Sequence, residues 1–138
     1  MQGTSIPRSL FVFAVLYGGM VPLGGVLGTK QVGIGPLAVE AFSKINADVA
    51  VMSAGGITLD GLTNSHGLLI DIQLAVMRGA AKVIMCLDHT KFGRRSVTLL
   101  CDLEPIDVIV TDNQAPADLV QALRDKGIEI VVAAVAPS

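Results

Sequence analysis

Five stretches of this chain are nearly unbroken runs of Val, Ile, Leu, Ala and Met: Leu10–Leu16, Asp48–Ser53, Lys82–Leu87, Asp107–Thr111 and Ile128–Val135. The runs are continuous and do not alternate, which is the pattern of parallel strands covered on both faces. Between them, apolar residues recur at helical spacing. Gly35-Pro36 places a proline at a first helical position, and Ala38, Ala41, Phe42 and Ile45 follow. Leu68/Leu69, Ile72, Ala75/Val76 and Gly79/Ala80 mark a second helix. A third runs from Pro116 to Lys126, with Asp118 in its first turn, Arg124 and Lys126 in its last, and Gly127 as its stop. Tyr17–Gly35 reads as a glycine-rich loop, and Val97–Leu100 as a short strand or a turn of helix. This alternation predicts an α/β fold, an open and mostly parallel sheet with flanking helices.

The 138 residues suit one domain, expected to run over 1–138. An apolar content of 51% excludes general disorder, and 16% charge leaves a thinly charged surface of which a partner is expected to cover part. Ten basic residues against twelve acidic ones give no basic face for duplex DNA, and the absence of Trp argues against a base-stacking platform. Cys86 and Cys101 sit in apolar surroundings and read as reduced, buried thiols. Neither G-x-G-x-x-G after the first strand nor G-K-[ST] occurs, so no cofactor is expected. Ser9–Thr29 holds no charge over 21 positions, long enough to cross a bilayer. Gly18, Gly19, Gly24, Gly25, Gly28 and Pro22 would weaken a helix there, which favours a buried strand and loop over a signal or membrane segment.

Open α/β sheets bind ligands outside the carboxyl ends of their strands. Polar and glycine residues gather at those ends: Gly18-Gly19, Gly55-Gly56, Asp88-His89-Thr90-Lys91 and Thr111-Asp112. Glycines there serve tight turns or bring backbone amides to an anion. Asp88 has the chemistry to accept sugar hydroxyls and Lys91 to neutralise a phosphate, against the plainer reading of a turn-capping Asp and a solvated lysine. His89 reads as a surface or supporting histidine and Arg94-Arg95 as a solvated pair. Asp71 is expected to be exposed, and Thr63-Asn64-Ser65 to cap the second helix. No arrangement for nucleophilic catalysis has supporting context.

Five segments together resemble the C-terminal sensor domain of DeoR-type transcriptional regulators. They are Gly18-Gly19 after a strand, G-P-L-A at Gly35–Ala38, A-D-V-A-V-M-S-A-G-G-I at Ala47–Ile57, A-A-K-V-I-M-C-L-D-H-T-K-F-G-R at Ala80–Arg94 and I-D-V-I-V-T-D at Ile106–Asp112. The resemblance implies a fold similar to ribose-5-phosphate isomerase, glucosamine-6-phosphate deaminase and CoA transferases. It implies a cytoplasmic repressor of carbohydrate-metabolism genes that is not an enzyme, with a phosphorylated sugar at the strand ends. The matching ligand positions are Gly18, Gly19, Gly55, Gly56, Asp88 and Lys91. No winged helix-turn-helix or first phosphate loop precedes Leu10, so the chain is expected to carry the later part of a sensor domain, to form homo-oligomers and not to bind DNA or membrane itself. A small sugar-phosphate isomerase and an exported or membrane-anchored protein stand as the alternatives.

Overall fold

The computed structural model describes residues 12–16, 19–23, 46–65 and 67–134. A six-stranded sheet forms the frame. Its strands are β1 (Val12–Leu16), β2 (Gly19–Leu23), β3 (Ala47–Met52), β6 (Ala80–Cys86), β8 (Val108–Asp112) and β9 (Glu129–Ala133), in the order β2-β1-β3-β6-β8-β9. All neighbours are parallel except the β1–β2 hairpin. A second sheet holds β4 (Gly56–Thr58), β5 (Gly61–Asn64) and β7 (Thr98–Cys101), all antiparallel. The expected α/β architecture with a mostly parallel sheet is therefore present.

Helix α1 (Gly67–Gly79) packs against β3, β6 and β7. Ile70, Ile72, Gln73, Ala75, Val76 and Met77 are buried, while Asp71 and Arg78, seven positions apart, stay exposed. A helix enclosed by two sheets needs apolar residues around most of its circumference. Helix α2 (Ala117–Asp125) lies on β9, burying Val120 and Leu123. Gly127 takes φ +96°, its N–H donating to the Arg124 carbonyl (2.9 Å), which ends α2 as expected from the sequence. The fully buried Met52, Ile57, Leu62, Ile72, Met85, Leu87, Ile109 and Leu123 join both sheets and both helices into one core.

Several expectations need correction. The stretch read as a glycine-rich loop contains strand β2, with Pro22 opposite Phe13. An edge strand tolerates a residue without an N–H, so proline was no bar. Thr63 and Asn64 belong to β5, not to a helix cap; of the two readings of Val97–Leu100, the short strand is the one present, as β7. Cys86 is exposed, because the period of two that buries Val83 and Met85 turns Lys82 and Cys86 outward. Cys101 is half-buried, and burial together with Asp102 pushes its thiol up to about 11; both thiols are free. Strand β9 is not covered on both faces, since Val131 and Val132 are 44% and 42% exposed at the edge of the sheet. The helix expected from Gly35-Pro36 lies outside the described residues. No helix among the described residues is long and apolar enough to cross a membrane.

Candidate functional site

The site grows from the pairing of β6 with β8. Cys86 faces Val110 in register, and the Leu87 N–H donates to the Val110 carbonyl (3.0 Å). Both strands then run out into polar residues at the same end of the sheet. After β6, residues His89–Lys91 form a 3-10 turn capped by Asp88. The Asp88 Oδ1 accepts from the Thr90 N–H (2.8 Å) and from the Thr90 hydroxyl. Lys91 Nζ lies 3.9 Å from Asp88 Oδ2. The plainer reading of Asp88 as a turn cap is thus realised, and its lysine neighbour is engaged rather than solvated alone. The Thr90 hydroxyl, before its N–H and Lys91, holds the Asp88 carboxyl below the usual carboxylate range.

Asp112, at the end of β8, reaches across to this turn. Its Oδ2 accepts from the His89 N–H (2.9 Å) and lies 3.0 Å from His89 Nδ1. Its Oδ1 accepts from the Gln114 N–H (2.8 Å). The His89 N–H, foremost among these donors, keeps the Asp112 carboxyl low and hence ionised at neutral pH. The carboxylate is largely enclosed, with 17% of its side chain exposed against 39% for His89.

The far end of the 88–93 loop is pinned to the small sheet. Phe92 is buried and bridges to Ile57, and the Gly93 N–H donates to the Ile57 carbonyl (2.8 Å). Gly55 and Gly56 are therefore neighbours of this loop. The Gly55 N–H donates to the Thr63 carbonyl (2.9 Å). A β-carbon on Gly56 would lie 2.0 Å from the Arg94 carbonyl oxygen, so glycine lets two backbones approach there. Gly19 faces Leu16 at the carboxyl end of β1, with β1 and β3 between it and β6. Three strand spacings, about 14 Å, separate the two lines. Gly18 lies outside the described residues. Asp71 is exposed, as expected, and Arg95 pairs with Asp60 instead of standing alone.

Of the residues read from sequence as ligand contacts, Asp88 and Lys91 come together directly, with Gly55 and Gly56 alongside. The sequence places Asp112 among the strand-end residues but does not show its pairing with His89. The two stand 23 positions apart, and only the β6–β8 pairing makes them neighbours. A buried network was also missed: the fully buried Gln73 Nε2 donates to the Ser53 carbonyl (2.9 Å) while its Oε1 accepts from Asn64 Nδ2 (2.9 Å). It fixes the end of β3 and the end of β5 to α1.

A family model of the DeoR C terminal sensor domain matches residues 15–113. The HTH-type transcriptional regulator GolR of Listeria innocua is 30% identical over 80% of this chain and 44% of its own length. The glycerol-3-phosphate regulon repressor of Escherichia coli is 27% identical over 78% of this chain and 43% of its own. The repressor CsqR of the same organism is 31% identical over 92% and 51%. The chain thus spans about half the length of the curated relatives it matches. The matched region holds the β6 and β8 ends that build the site, and the chain belongs to the DeoR C-terminal sensor domain family.

Proposed function

We propose that residues 1–138 belong to a single ligand-sensing domain of a cytoplasmic transcriptional repressor, and that its ligand is a phosphorylated sugar or related metabolite. The observation that carries this reading is the meeting of Asp88, His89, Lys91 and Asp112 at one end of the sheet through the β6–β8 pairing. A cation for a phosphate and acceptors for hydroxyls then stand within one loop pair. Gly55 and Gly56 flank the site, and Gly18 and Gly19 are assigned to the same ligand as further contacts. The relative named as a glycerol-3-phosphate regulon repressor supports a phosphate-bearing ligand. Carbohydrate-metabolism genes are the targets, and DNA is contacted by a winged helix-turn-helix of the longer protein. Binding shifts the equilibrium between states of different DNA affinity and involves no turnover. The domain acts as a homo-oligomer; Val97, just before β7, and Leu99, on it, are 87% and 62% exposed and suit burial against another copy.

Calorimetric titration of the chain with glycerol 3-phosphate, ribose 5-phosphate and glucose 6-phosphate tests the reading. Saturable binding of at least one ester, without its consumption, is the expected result. Binding of none overturns the ligand class, and conversion of a bound ester would make the chain an isomerase.

A further inference from the structure

The sequence assigns hydroxyl recognition most naturally to Asp88, but that carboxylate is occupied. Its Oδ1 accepts twice from Thr90, and its Oδ2 faces Lys91. His89 is different. Asp112 is held from both sides: Oδ2 takes the His89 N–H and Oδ1 the Gln114 N–H, so the carboxylate cannot turn without losing a backbone donor. An ionised carboxylate has no proton to give. The 3.0 Å contact from Nδ1 to Oδ2 therefore requires the proton on Nδ1. In the neutral ring this leaves Nε2 as a bare acceptor on the opposite side of the imidazole. Nε2 has no hydrogen-bond partner among the described residues, and 39% of the side chain is open to solvent.

We infer that His89 is a ligand contact whose Nε2 accepts a hydrogen bond from a hydroxyl group of a phosphorylated polyol or sugar, and that Asp112 is its positioning residue. The assignment rests on the ligand site proposed above and divides the labour within it. Lys91, two residues on, meets the phosphate. His89 reads the hydroxyl-bearing part, and Asp88 shapes the turn that carries both. A carboxylate that fixes the tautomer of an imidazole acts here as supporting carboxylates do behind other functional histidines.

The test has a part that needs no ligand. In the nitrogen NMR spectrum of the full chain, the neutral His89 ring is expected to carry its proton on Nδ1. Asp112→Asn should shift it toward a mixture of tautomers, a change that simple loss of stability does not produce. A bare Nδ1 in the parent overturns the inference whatever binds. The second part compares affinities for glycerol 3-phosphate, ribose 5-phosphate and glucose 6-phosphate with propyl phosphate, which has no hydroxyl. His89→Phe should weaken the hydroxylated esters about three- to tenfold, the worth of one neutral hydrogen bond, and leave propyl phosphate unchanged. Lys91→Met should weaken all of them. If Lys91→Met acts and His89→Phe does not, the ligand site stands and the role of His89 falls. If no ester binds the parent, both fall.

Discussion

Gln73 and Asn64 join side chain to side chain at 2.9 Å inside the core, in a helix and a strand that share no other polar tie among the described residues. Gln73→Leu keeps the volume close but strands two partners, the buried Asn64 amide and the half-buried Ser53 carbonyl. Each unsatisfied group costs about 1–3 kcal/mol. Chemical denaturation should show a loss in that range or above. The double variant with Asn64→Leu should lose less than the sum of the two single ones, because the amide is no longer left unpaired.

Gly55 and Gly56 should respond differently to alanine. A β-carbon on Gly56 meets the Arg94 backbone at 2.0 Å, whereas one on Gly55 meets the Ser96 side chain at 3.2 Å. Backbone does not give as a serine hydroxyl does. Gly56→Ala is expected to cost at least the about 1–3 kcal/mol typical of overpacking, and Gly55→Ala clearly less. Thermal unfolding of both variants decides the point. Equal losses would mean that the 92–96 segment moves freely away from the small sheet.

Asp88 and Asp112 both titrate lower in the folded chain than in the unfolded one. The unfolded state therefore takes up protons first as pH falls. The contribution of both carboxylates is complete above their unfolded values, near pH 4, and is lost as pH drops through the folded ones. Stability measured between pH 6 and pH 2 should fall along that lower limb, and Asp112→Asn should flatten it. An unchanged slope would show that His89 and Gln114 do not favour the ionised carboxyl.

Lys91→Met should separate stability from binding. Its ion pair with Asp88 spans 3.9 Å at a partner side chain that is 54% exposed, and such pairs contribute about 0–1 kcal/mol. Unfolding should change by no more than that. Affinity for a phosphorylated ligand should fall about ten- to a hundredfold, as expected for a charge-assisted hydrogen bond. A variant that binds as its parent does would send the phosphate to the glycine loops.

The parallel strands were legible because each carries a run of apolar residues long enough to stand out. The run read as Asp107–Thr111 forms Val108–Asp112, and Lys82–Leu87 lies over Ala80–Cys86. The small sheet was not legible. Its strands Gly56–Thr58 and Gly61–Asn64 are three and four residues long, carry little apolar signal and depend on β7 for closure, with a register shift at Leu62/Thr63. Gln73 hid for a different reason: a polar residue in a helical pattern says nothing about whether it faces water or a buried amide. At the site, Asp88 and Lys91 could be found because they are three positions apart on one loop. Asp112 could not, since its meeting with His89 is a product of strand order.

The return of β7 to the small sheet bears on how the chain is assembled during synthesis. Strand β3 adds to β1, and β6, β8 and β9 each lie beside the main-sheet strand made before them, so the main sheet can grow by addition as the chain emerges. The small sheet cannot be finished that way. Its β4–β5 hairpin must wait until β6 and the 88–96 loop have been made and β7 arrives to pair with β5. A nascent chain halted before Thr98 thus holds a hairpin with one edge open, and the loops of the candidate site settle together, late, when that edge is closed.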